Sequence, residues 1–112
     1  MEPTPTIVCL CGSVRFYDAF HLANFRETLA GNIVLAPAFL PSASYHAETA
    51  GITPEQKTFL DNHYLFKVKL ANEILVINVG GYIGESTKRE IAYAKALGKR
   101  IRYLEPPDGD PV

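Results

Sequence analysis

Gly80, Gly81 and Gly84 fall within five residues, the hydroxyls of Ser86 and Thr87 follow at once, and the carboxylate of Glu90 comes one helical turn later. A largely apolar run, Ile74 to Val79, precedes them, and a helical pattern from about Ser86 to Leu97 follows, stopping at Gly98. A buried strand, a glycine-rich turn and hydroxyls at a helix start make an anion cradle, because the first N–H groups of a helix have no partner within it. A carboxylate just past such a cradle faces whatever the anion is attached to, which points to chemistry on a sugar phosphate or nucleotide. The glycine spacing matches neither the Walker loop nor the dinucleotide fingerprint. A tight turn without a ligand is the simpler alternative. Glu90 also has two readings on spacing alone, since Thr87-Lys88-Arg89-Glu90 has the form of a capping box in which the glutamate bonds the Thr87 N–H. Glu85 suits the positive end of the helix as well as it suits a ligand.

A second turn, Gly12-Ser13-Val14-Arg15, closes an earlier strand pattern. Glycine lets a ligand approach the backbone, and Ser13 and Arg15 can donate to phosphate. The same residues also read as an ordinary strand-to-helix turn with Ser13 as N-cap. Tyr45, His46 and Glu48 lie in a long irregular stretch, residues 37–51, and are candidate substrate contacts, because loops this long in small domains tend to be functional. Lys95, Lys99, Arg100 and Arg102 read as a solvated basic face. Cys9 and Cys11 share one face of a strand, which holds their sulfurs apart, and read as small buried hydrophobes. His21, His46 and His63 are not at metal-ligand spacing, so neither a metal nor another cofactor is expected.

The elements that must position these groups alternate. Thr6 to Cys11 reads as a strand, Val14 to Ala30 as a helix, Asn32 to Ala36 as a strand, and residues 73–79 and 101–104 as two more. Phe16, Phe20 and Ala23, with Leu22, Phe25 and Leu29 on a neighbouring row, recur at helical spacing in the first helix. Thr53-Pro54-Glu55-Gln56 announces another, with Thr53 as cap, Pro54 at the first position and Gln56 completing the box. Phe59, His63, Phe66 and Leu70 share one face of it. The order β-α-β-α-β-α-β predicts an α/β fold, a small doubly wound (Rossmann-like) parallel sheet of about four strands in order 2-1-3-4 with helices on both faces. That order makes the first and third strands neighbours and sets the two glycine turns over one crevice, at the carboxyl ends where such sheets bind ligands.

A chain of 112 residues suits one domain, with residues 1–5 and 106–112 expected as frayed tails. A net charge of -1 with no basic block argues against a nucleic-acid partner. No apolar run is long enough to span a bilayer and no targeting segment is seen, so a cytoplasmic protein without a membrane partner is expected.

Three segments resemble one family. Cys11-Gly12-Ser13-Val14-Arg15 is similar to the Gly-Ser-Ile-Arg turn of the 2'-deoxynucleoside 5'-phosphate N-hydrolases. Leu70 to Val76 resembles the Ala-Asp approach to their third strand. Glu90-Ile91-Ala92-Tyr93-Ala94, with Leu97-Gly98-Lys99, resembles the segment where the family's nucleophilic glutamate precedes a small-residue helix. Over most of residues 6 to 104 the chain thus resembles the nucleoside 2-deoxyribosyltransferase superfamily, closest to its nucleoside 5'-monophosphate N-glycosidase branch. The resemblance implies a small-molecule nucleotide or nucleoside as substrate and a covalent glycosyl-glutamate intermediate, resolved by water or by a second base. It makes Glu90 the nucleophile, with Gly12, Ser13, Arg15, Gly81, Gly84, Ser86 and Thr87 holding the 5'-phosphate. Phe16, Tyr45 and His46 become candidate contacts to the base. It also implies a homodimer or larger homo-oligomer, in which a neighbouring subunit completes the site.

The chain departs from that pattern at two acidic positions. Asn72 stands where the family enters its third strand through Asp, and Tyr64, beside His63, stands where the family keeps a catalytic Asp; Asp61 is one turn earlier. Tyr64 and His63 are therefore candidate helpers, and a non-catalytic nucleotide-binding module on the same fold is the alternative. The turn before Glu90 is also about two residues longer than in the N-hydrolases. Gly80-Gly81, Gly84 and Thr87 to Glu90 are similar, with insertions, to the Gly-Gly-x-Gly-Thr-x-x-Glu motif of the lysine-decarboxylase-like phosphoribohydrolases, which also cleave N-glycosidic bonds of nucleoside monophosphates.

Overall fold

The computed structural model describes residues 3–39 and 51–107. Strands β1 (Ile7–Cys11), β2 (Ile33–Leu35), β3 (Glu73–Val76) and β4 (Arg100–Tyr103) form one parallel sheet in the order β2-β1-β3-β4. Helix α1 (Tyr17–Leu29) lies between β1 and β2, α2 (Pro54–Leu70) precedes β3, and α3 (Glu85–Ala96) links β3 to β4. This is the doubly wound α/β arrangement that the element pattern predicts.

The two-residue period of a strand divides the core in two. Cys9, Cys11, Ile74 and Val76 pack with Val68 of α2, with Ala71 just after it, and with Ile91 and Ala94 of α3. Val8, Leu10, Leu75 and Ile77 pack with Phe20 and Ala23 of α1. All four residues of β3 are buried, as its unbroken apolar character predicts for a central parallel strand. The second apolar row of α1, Leu22, Phe25 and Leu29, remains exposed.

Local signals explain most helix starts. Thr53 Oγ1 accepts the Gln56 N–H at 3.1 Å and Gln56 Oε1 accepts the Thr53 N–H at 2.8 Å, completing the predicted capping box. The first helix differs in detail: Val14–Phe16 form a 3-10 turn whose cap, Ser13, accepts the Arg15 N–H at 3.3 Å, and α1 begins after it.

Strand β3 is shorter than the predicted 73–79. The Ile77 N–H still donates to the Cys11 carbonyl at 2.7 Å, but β1 then turns away. Asn78 is buried and turns its side chain to Glu105 instead, donating Nδ2–H to the carbonyl at 2.7 Å and accepting the N–H at 2.9 Å. At the opposite end of the sheet Asn72 bonds Ile7 twice, through its N–H and its Oδ1, each at 2.8 Å. The Asn-for-Asp departure is therefore a strand-pairing feature, remote from the carboxyl ends. The basic cluster is only partly a solvated face, since Arg102 grips Glu27 through both guanidinium nitrogens at 2.6 and 3.3 Å and reaches Glu73 at 3.3 Å. Among the described residues no helix is long and apolar enough to cross a membrane, and no His/Cys/Asp/Glu group could hold a metal ion.

Candidate functional site

The two glycine turns meet at the carboxyl ends of β1 and β3. A Cβ on Gly12 would lie 2.9 Å from the Ile77 carbonyl oxygen, so glycine here serves the close approach of the two turns. Tyr82 then ties them at the surface. The Arg15 guanidinium sits 4.5 Å from the centroid of its ring, and Phe16 meets that ring edge-on at 6.0 Å. Arg15, Phe16 and Tyr82 thus form one rim, and among the described residues the Arg15 guanidinium has no hydrogen-bond acceptor to hold it from turning toward an anion.

The glycine turn itself has few donors to offer. Gly80 and Gly81 take positive φ values of 64° and 83°, and their N–H groups go to Glu105 Oε2 at 3.0 Å and to the Asn78 carbonyl at 2.8 Å. The Tyr82 N–H goes to the Val79 carbonyl at 3.2 Å. Gly81 therefore supplies a backbone bend rather than a phosphate donor. Donors remain one step on: Gly84 is the N-cap of α3 without a side-chain cap, and the Lys88 N–H makes the bond back to Gly84. The N–H groups of Glu85, Ser86 and Thr87 then have no acceptor within the helix. Ser86 is half-buried, Thr87 is only 3 % exposed, and Glu85 points to solvent and pairs with Lys88.

The helix start removes the capping-box reading of Glu90. With Gly84 as N-cap, Thr87 is the third residue of α3 and cannot be the cap that a box with Glu90 requires. The Glu90 carboxyl is instead half-buried beside β1, near the Cys11 thiol. Burial pushes its pKa up to about 7; the nearby Cys11 thiol works against that rise, Asp61 adds to it and Arg89 opposes it. Asp61, on α2, is held by Lys57 at 3.0 Å and Arg89 at 3.6 Å.

The two helper candidates on α2 part company. Tyr64 faces the sheet, its hydroxyl donates to the Leu10 carbonyl, and burial pushes its pKa well above the ordinary phenol value. His63 lies on the outer, exposed face, stacked on Phe59 at 5.5 Å, away from Glu90. Tyr45, His46 and Glu48 lie outside the described residues. Cys9 and Cys11 are free and buried, as expected of small apolar residues, but the influence of Cys11 on the Glu90 carboxyl and the rim role of Tyr82 are not foreshadowed by the sequence. The parity of β1 holds the signal for Cys11: it is the last strand residue on the face that α3 covers. Elsewhere, a cavity of about 320 Å³ between α1 and the β3–β4 edge contains Glu27 and Arg102, which spend their charges on each other. Its chemistry gives a ligand little to bind. No protein-family model matches this chain, and no curated protein matches it.

Proposed function

We propose that this protein cleaves the N-glycosidic bond of a nucleoside or deoxynucleoside 5'-monophosphate, with Glu90 as nucleophile. The observation that carries the reading is the Glu90 carboxyl itself: half-buried at the carboxyl end of the sheet, not used as a helix cap, and with its pKa pushed up to about 7 by burial. A Glu90 oxygen bonds to the anomeric carbon while the carbon–nitrogen bond breaks, and the electron pair leaves with the base, which takes a proton from solvent. Water then adds to the anomeric carbon, gives up a proton and frees the carboxylate; a second base in place of water gives transfer. The unpaired N–H groups at the start of α3, the Ser13 hydroxyl and Arg15 hold the 5'-phosphate, and Phe16 and Tyr82 offer ring faces to the base. The phosphate site favours hydrolysis over transfer, because it matches the hydrolase branch of the family that the chain resembles. Two buried free thiols suit a reducing, cytoplasmic setting.

One observation favours a second reading, a nucleotide-binding module without turnover. Tyr64, at the place of the family's catalytic Asp, is committed to the Leu10 carbonyl, and Asp61 is held by two cations. Incubation with a panel of nucleoside and deoxynucleoside monophosphates separates the two. Free base in the supernatant supports the glycosidase; a raised melting temperature without base release supports the module. Neither response at millimolar nucleotide would remove both.

A further inference from the structure

Glu105 lies just past β4, and its carboxylate is bound inside the molecule. Its Oε2 accepts the Gly80 N–H at 3.0 Å. The backbone around it is fixed. The Leu104 N–H donates to the Val76 carbonyl at 2.8 Å, and the fully buried Asn78 side chain holds both the N–H and the carbonyl of Glu105, at 2.9 and 2.7 Å. Pro106 follows and favours extended backbone at Glu105. These bonds aim one half-buried carboxylate at the glycine turn. The turn has the form of an anion site, since Gly80 and Gly81 take φ values of 64° and 83°, and successive N–H groups in such a bend make a concave cradle. Here the anion is the chain's own.

We infer that Glu105 admits one phosphate group and refuses a second, and so sets the choice between nucleoside mono- and polyphosphates. The inference rests on the phosphate site proposed above, at the start of α3 with Ser13 and Arg15. Donor accounting carries it. The Gly80 N–H is spent on Glu105, the Gly81 N–H on the Asn78 carbonyl and the Tyr82 N–H on the Val79 carbonyl. The exposed residues Gly80 to Tyr82 therefore offer a further phosphate no run of donors, although their backbone has the shape for one. Gly80 is four residues before the Gly84 cap, hence within about 14 Å of it, so the carboxylate borders the phosphate site. A polyphosphate reaching past the start of α3 meets a turn already filled by a charge of its own sign, and like charges brought together weaken binding.

Calorimetric titration of the full chain with the mono-, di- and triphosphates of the common nucleosides and deoxynucleosides tests this, with far-UV circular dichroism to confirm folding. The wild type binds its preferred monophosphate about tenfold or more tightly than the matching triphosphate. Glu105→Gln keeps an acceptor for Gly80 and loses the charge; Glu105→Ala frees that N–H as well. Each raises triphosphate affinity by about tenfold and changes monophosphate affinity by less than about twofold. Equal wild-type affinity for mono- and triphosphate, or a preference unchanged in both variants, overturns the role of Glu105 and leaves the phosphate site standing. Affinity lost for every phosphate alike marks Glu105 as a structural cap of the turn and overturns the role too. No binding of any nucleotide at millimolar concentration removes the phosphate site itself, and this inference with it.

Discussion

The Cys11 thiol, at the carboxyl end of β1, lies close enough to Glu90 of α3 to favour its charged form, while its own hydrogen bond goes to the Cys9 carbonyl at 4.0 Å. The thiol's proximity opposes the burial that disfavours the charged form of Glu90, while Cys9 and burial, with Glu90 adding to them, keep the Cys11 thiol protonated. The result is a carboxyl poised near neutrality, where a nucleophile is available without being fully quenched by water.

The pH dependence of base release follows. A nucleophile must be ionised, so kcat/KM for a nucleoside monophosphate rises with pH through an inflection near 7 and levels above it. Cys11→Ala removes the nearby thiol that favours the charged carboxylate and moves the inflection upward; Asp61→Asn removes a like charge and moves it downward. A falling limb through the same pH would instead mark Glu90 as a general acid.

Stability should respond with the opposite sense. The folded-state pKa of Glu90, about 7, lies above the ordinary 4.5, so between these values the native state holds more protons than the unfolded chain. Stability therefore falls as pH rises through that window; the cost is absent below 4.5 and complete above 7. Glu90→Gln removes it, and chemical denaturation should show the variant more stable at pH 8 by on the order of 2 kcal/mol, after discounting for water at the mouth. The gain should vanish near pH 4.

Gly12→Ala probes the junction of the two turns. Its Cβ would press on the Ile77 carbonyl at 2.9 Å and lie 3.3 Å from the Phe20 ring. Overpacking of this kind costs about 1–3 kcal/mol. Urea denaturation should show that loss, together with a rise in KM as the Arg15–Tyr82 rim shifts.

Arg15→Ala separates phosphate recognition from chemistry. Loss of one charge-assisted contact should raise KM for a nucleoside monophosphate by about tenfold or more, and change the parameters for the matching nucleoside little. Steady-state kinetics on that pair of substrates distinguishes this from a role confined to packing on Tyr82, which would affect both alike.

Local features were the ones legible in the sequence. Thr53 and Gln56 specify their cap through neighbouring backbone, and the unbroken apolar run at Ile74 demands burial on both sides, so sheet order and helix positions followed. What could not be read depends on contacts distant in the chain. Glu105 satisfies the Gly80 N–H from twenty-five residues away, which moves the free donors to the start of α3. The Tyr64 hydroxyl is spent on Leu10, fifty-four residues earlier. Periodicity placed Phe59, His63, Phe66 and Leu70 on one face of α2, but spacing cannot say whether a face turns to the core. At Glu90 the capping reading was a matter of helix phase, and one structural fact, Gly84 as the N-cap, excludes it.

The central claim is that Glu90 carries the sugar between bond cleavage and release. Intact-protein mass spectrometry during turnover of a nucleoside monophosphate, read beside chromatographic detection of free base, tests it most directly. A transient mass increase equal to the sugar phosphate is expected, mapped to the peptide containing Glu90, with both adduct and base release abolished in Glu90→Ala. Undiminished base release by Glu90→Ala, or an adduct on another residue, would contradict it.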